Sequence, residues 1–300
     1  MTTHSRGALR SPWRLLLVVF LVLGLLAMGG ITSNAFGVGD RWERLVTRVE
    51  RFIDPPPVRA TVPTVVVTQQ PEPTATPPVI ASESPIPATP APARLPVDVD
   101  LVDDHEAIFT SQNTNEMCAV AATQIMLTIM DRGTPGPDFQ NEIGSRIGEW
   151  TSWEDSHDGG WGPAAIAAGL AAYGADGYTV VAYESHEDAI RGAAIAISET
   201  GKPAALLTWW GAHTWVMTGY RADADPTVFP DATINGAYID DPWYPRVSTI
   251  WGPSDTPGNF EDAAELARNW PFGTNDDGWS RFEGAYPDRD DRFVVVLPSV

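Results

Sequence analysis

Residues 112–130 read QNTNEMCAVAATQIMLTIM, and how this stretch folds decides how the rest of the chain is arranged. Its apolar positions, Val120, Met126, Ile129 and Met130 among them, predict a helix over 116–131. Asn115 is the expected N-cap, with Glu116 in the first turn, where the helix dipole favours an acid. Cys118, the single cysteine of the 300-residue chain, then falls in that first turn. Free N–H groups and the macrodipole at a helix N-terminus stabilise a thiolate, the reactive form of the side chain. Gln112 lies six residues upstream, and a loop before the helix can fold its amide back beside the sulfur.

Working outward, 138–149 and 161–173 have helical spacing, and 178–183 (YTVVAY) has the β-branched and aromatic content of a strand. Residues 186–199 predict a helix ending at Gly201-Lys202-Pro203. Three strand-like runs follow, 204–210, 213–220 (HTWVMTGY) and 235–240 (NGAYID). A helix over 260–270 and a strand over 292–297 complete the pattern. Helices first and strands later describe an α+β domain.

Two of the later strands carry groups that could serve a thiol. His213 opens an apolar strand, so its ring can sit at the sheet end facing the helix. Asp240 and Asp241 close the next strand, in YIDDP, and adjacent strand residues point to opposite faces. Asp241, before Pro242, is the preferred partner for the second ring nitrogen of His213. The other histidines are weaker candidates: His4 precedes an apolar segment, His105 sits in acidic DDHEA, and His186 starts a helix. His157, in the loop EDSHDGGWG, is the serious rival. Thiol, amide, imidazole and carboxylate are the parts of a cysteine hydrolase, in which a base activates the nucleophile and two donors hold the oxyanion. One of Trp209 and Trp210 is expected either beside the base or in the core. Trp150, Trp153 and Trp161 could form a rim or lid.

The ordered set QNTNEMCAVAA, HTWVMTGY, YIDDP resembles the papain-like cysteine peptidases, and most closely their bacteriocin-processing (double-glycine) branch. The resemblance spans about residues 101–300. It implies a papain-like α+β fold, with an N-terminal helix carrying the nucleophile packed on an antiparallel sheet. It also implies Gln112 as oxyanion donor, Cys118 as nucleophile, His213 as base and acid, and Asp241 as the residue that orients the ring. The substrate would be a peptide or protein, and neither cofactor nor metal is called for. A catalytically inactive binding module of the same fold is the first alternative. A cell-wall amidase or transpeptidase using the same thiol is the other.

Outside this domain the composition changes. Residues 1–98 hold nine Lys or Arg against seven Asp or Glu, whereas 99–300 hold ten against thirty-two. So acidic a domain argues against a nucleic-acid partner, which needs basic surface. Residues 15–31 are seventeen uncharged, mostly apolar residues preceded by Arg6, Arg10 and Arg14. They predict a transmembrane signal-anchor with residues 1–14 in the cytoplasm. A signal peptide cleaved after Ala35 is the alternative, and either way the domain is exported. Residues 32–53 include an amphipathic juxtamembrane segment. Residues 54–98, with thirteen prolines, are expected to be an extended linker. Its reach would be about 140 Å at ~3.1 Å per residue. The expected layout is thus a single-pass membrane protein with a peptidase domain, 99–300, outside the cell.

Overall fold

The computed structural model describes residues 63–68, 92–150, 161–270, 289 and 292–299. The apolar stretch 15–31 and the juxtamembrane segment lie outside them, as do Trp153 and His157. Among the described residues no helix is long and apolar enough to cross a membrane.

The chain is α+β, built on a mostly antiparallel sheet with helices on both faces. The elements are β1 (Thr64–Val67), β2 (Val97–Asp100), α1 (His105–Ile108), α2 (Cys118–Ile129), α3 (Pro137–Ser145), α4 (Ile147–Trp150), α5 (Pro163–Ala172), β3 (Tyr178–Tyr183), α6 (His186–Thr200), β4 (Ala204–Thr208), β5 (His213–Ala222), β6 (Ile234–Asp240), β7 (Val247–Ser248), β8 (Gly252–Pro253), β9 (Asn259–Asp262), α7 (Ala263–Asn269) and β10 (Phe293–Pro298). A short 3₁₀ turn, Trp209–Gly211, joins β4 to β5. The main sheet runs β1-β3-β10-β4-β5-β6-β9, with β2 pairing along the rest of β5. β1 on β3 is the parallel pair, and the other pairings in this sheet are antiparallel.

Both faces of the central strands are covered, so those strands read as unbroken apolar runs rather than as alternations. In β10, Val294 and Val296 face the layer of α2 and α5, while Val295 and Leu297 face the layer of α6. α2 lies inside the first layer and is buried from Ala119 to Leu127. Its small residues let it lie close to the sheet, where Ala119, Ala122 and Ile125 share a core with Ala205, Leu207 and Val216. Deleting Ile125 down to alanine would cost about 2–5 kcal/mol, because a close-packed site collapses only in part. The polar residues of α2 are satisfied internally. Gln124 donates to the carbonyls of Thr134 and Gly136 at 2.9 and 2.7 Å.

Several boundaries differ from the sequence expectation. α2 starts at Cys118 with Met117 as N-cap, not at Glu116 with Asn115 as cap. Residues 114–117 turn instead, and the Asn115 side chain accepts from Arg246 at 3.3 Å. The helix expected over 260–270 is shorter: Asn259–Asp262 pairs as β9 on β6, and only Ala263–Asn269 is helix, capped by Asp262. Residues 64–67, inside the stretch read as linker, are four β-branched residues paired on β3, consistent with their strand propensity. Residues before Val99 also join the domain. β2 begins at Val97, and Arg94 bonds both Asp223 and Asp231 of the β5–β6 connection.

β2 approaches β5 closely because of Gly219. A Cβ there would lie 2.0 Å from the Val99 carbonyl oxygen. Trp150 and Trp161 do not form a rim. Their rings pack edge to face at 5.3 Å against the α2 and α5 core.

Candidate active site

α2, β5 and β6 bring three of the four expected residues into contact. Cys118 is the first residue of α2, and the N-cap residue, Met117, makes no side-chain hydrogen bond to that end of the helix. The thiol is half-buried and points at the Ala212 carbonyl, with the sulfur 3.9 Å from the oxygen. Ala212 immediately precedes His213, the first residue of β5. His213 is buried, and its Nε2 lies 2.6 Å from Asp241 Oδ1. Asp241 Oδ1 also accepts the Trp243 backbone N–H at 2.8 Å, which fixes the carboxylate.

The electrostatics follow from this geometry. Burial alone would push the His213 pKa down. The charge and hydrogen bond of Asp241, followed by those of Cys118, outweigh that and raise it to about 9. Cys118 therefore lies close enough to the ring to stabilise its protonated form. With Nε2 committed to Asp241, Nδ1 is the remaining ring nitrogen.

Gln112 joins the group through the backbone. Its N–H donates to the Pro242 carbonyl at 2.9 Å, one residue past Asp241. The side chain is buried, and its Nε2 donates to the Thr114 carbonyl at 2.6 Å, which leaves one amide hydrogen. Its Oε1 has no partner among the described residues.

Of the two adjacent carboxylates, Asp241 takes His213 and Asp240 takes His105, at 3.0 Å from Nδ1. Of the two adjacent tryptophans, Trp209 stacks on the His213 ring with centroids 4.1 Å apart and planes 22° from parallel. The Trp210 side chain lies outside the described set. Trp209 has φ 52°, a left-handed conformation that a bulky residue rarely adopts. It is held there by its indole N–H on Asn269 Oδ1 at 3.1 Å and by parallel stacking with Trp251. Backbone strain of this kind persists where the surroundings over-determine it, often at a site of chemistry.

Arg246 was not singled out from the sequence. Its guanidinium donates to the carbonyls of Gln112 (2.8 Å), Asn113 (3.3 Å) and Thr114 (3.3 Å), and so clamps the loop that leads to Cys118. Ser111 in the same loop donates to the Tyr244 carbonyl. Trp243 and Trp251 were also missed. An isolated Arg or Trp in WYPRVSTIW carries no spacing signal, and only its nearness to Asp241-Pro242 could have drawn attention to it.

Beside Asp241 lies a small cleft lined by Trp209, Trp215, Trp251 and an acidic group, Asp255, Glu261 and Glu265. Oxygens of these three carboxylates lie within 4.8 Å of one another, which makes them a metal-type donor set among the described residues. Burial, followed by neighbouring Asp255 and Glu265, outweighs the Asn259 hydrogen bond and raises Glu261 to about 7, and Arg268 pairs with Glu265.

Comparison with protein-family models, with curated proteins and with solved structures gave no match.

Proposed function

We propose that the domain is a thiol hydrolase of papain-like type that cleaves peptide or amide bonds. The observation that carries this is the run from Asp241 through His213 to Cys118, set at the start of α2. A nucleophile-bearing helix packed on an antiparallel sheet, with its base on a neighbouring strand, supports the papain-like assignment of the fold.

In this mechanism His213 Nδ1 takes the proton of Cys118, and the thiolate–imidazolium pair is held by Asp241 on the far side of the ring. The sulfur attacks the substrate carbonyl. The developing oxyanion is met by the Cys118 backbone N–H and the free amide hydrogen of Gln112. His213 returns its proton to the leaving amine. It then activates a water that releases the acyl group from sulfur, regenerating the thiol. Trp209, stacked on the imidazole, holds the ring plane and shields it from water. No cofactor enters any step.

The substrate is a peptide or protein and not nucleic acid, since the acidic domain repels phosphate. The apolar residues 15–31 tether the enzyme to a membrane, with the domain exported.

Two measurements test this. Iodoacetamide should label Cys118 at neutral pH much faster than a free thiol, and His213→Ala should abolish the difference. In a screen of tagged peptides and cell-wall fragments, wild type should turn over substrate and Cys118→Ala should not. Equal turnover by the two proteins removes the enzyme claim. Sluggish labelling that ignores His213 favours a binding module, and products from wall fragments alone would make the enzyme an amidase.

A further inference from the structure

Asp240 and Asp241 leave the end of β6 on opposite faces, and each meets an imidazole. On the face away from the thiol, His105 uses both ring nitrogens. Nδ1 lies 3.0 Å from Asp240 Oδ1, and Nε2 lies 3.1 Å from Asp100 Oδ2. Asp100 is the last residue of β2, and its other oxygen accepts the Thr218 hydroxyl from β5 at 2.9 Å. One ring therefore links β2, β5 and β6.

The pocket around that ring is built for it. Asp240 is fully buried, and its Oδ2 has no partner among the described residues. Gly258 closes the other side. It has φ +74°, and a Cβ there would lie 2.3 Å from His105 Cδ2. The Gly258 N–H donates to the Ile239 carbonyl at 3.0 Å, which ties the wall of the pocket to β6 just before the two carboxylates. Neither ring nitrogen is left for chemistry.

We propose that His105 is a positioning residue for the thiol site: by gripping Asp240 it fixes the end of β6, and so sets where Asp241 meets His213. This rests on the function proposed above. Only one peptide unit separates the two carboxylates. A backbone shift that relieves Asp240 must therefore move Asp241, whose contact with His213 is short, at 2.6 Å. Misplacement of a catalytic group by about 1 Å can cost on the order of 100-fold in rate.

The test uses the full chain and two readouts, the rate of Cys118 alkylation by iodoacetamide and the kcat and KM for a cleaved peptide. His105→Ala and Asp240→Asn are each expected to slow alkylation and lower kcat roughly tenfold or more, with KM changed less than about twofold. Both remove the same link, so the double variant should lose no more than the worse single one. His105→Gln, which keeps one donor and nearly the same volume, should recover part of the loss and serves where the alanine variant does not fold. Wild-type rates in folded His105→Gln and His105→Ala proteins would overturn the proposal. So would losses that multiply in the double variant, since His105 would then not act through Asp240. Alkylation that ignores His213→Ala overturns the underlying function instead, and that control separates the two failures.

Discussion

Two histidines flank the same Asp-Asp dipeptide, and both hold their protons to a pH of about 9. In each case burial works against the charge and a carboxylate more than compensates. The difference lies in what the second ring nitrogen meets. In His105 it meets another carboxylate, Asp100, so the ring is a closed clasp. In His213 it is left beside Cys118 at the start of a helix. A raised proton affinity therefore does not mark a catalytic group, because structural ion pairs produce it as well. Under the proposed function, what sets His213 apart is the thiol beside it.

The largest effect expected to separate the two regions comes from the neighbouring carboxylates. Asp241→Asn keeps the shape but removes the charge and offers the ring a wrong hydrogen-bond partner. It should lower kcat by roughly 100-fold or more, and it should lower the melting temperature as well because it breaks a buried pair. The alkaline limb of kcat, set by proton loss from His213 near pH 9, should move to lower pH. Asp240→Asn should leave that limb in place and cost less in rate and, because solvent screens its His105 partner more, less in melting temperature. If the two variants prove indistinguishable in a pH–rate series, the division between clasp and active site is wrong.

A smaller effect should follow from Arg246. Its guanidinium gathers the carbonyls of Gln112, Asn113 and Thr114. Arg246→Ala leaves every reacting group in place and displaces the Gln112 amide without removing it. Outright removal of an oxyanion donor costs about 100- to 1,000-fold, so displacement should cost roughly tenfold in kcat. Lysine should not restore the rate, since one ammonium cannot span acceptors that a planar fork reaches together. Normal kcat in Arg246→Ala, measured at saturating peptide, would detach this loop from the chemistry.

What was legible in the sequence was local. Tyr178–Tyr183 and most of His213–Ala222 show as strands because β-branched and aromatic residues crowd there, and α6 shows through the Gly201-Lys202-Pro203 stop. That Asp240 and Asp241 point to different faces was legible from strand alternation, whereas which of them meets His213, Asp241, shows only in the fold. The pairings that complete the site were not. β9 was hidden because Asn259–Asp262 runs straight into the cap of α7. β1 was hidden by the prolines around it. The clasp on His105 depends on Asp100 and Asp240, 140 positions apart in the chain and joined only through β5. In so acidic a sequence a carboxylate near any histidine carries little information, so only the fold could show which pairings are real.

The smallest contrast between the two regions lies in stability rather than rate. Each histidine has a folded pKa of about 9 against an ordinary 6.5, so between those values the folded state holds protons that the unfolded chain has released. The stabilisation is complete below about pH 6.5 and is lost as pH rises through about 9, at ~1.4 kcal/mol per unit of pKa difference. Glu261, raised to about 7, gives a slope of the same sign at lower pH, so the histidines are best read between pH 7.5 and 9.5. His213 should dominate there. Its side chain is 2% exposed against 12% for His105, and solvent screens the second pair more. Urea unfolding of wild type should lose a few kcal/mol across this window. His105→Gln should flatten the curve slightly and His213→Ala should flatten it most. Stability that holds level or rises between those pH values would mean that neither imidazole carries the proton its carboxylates imply.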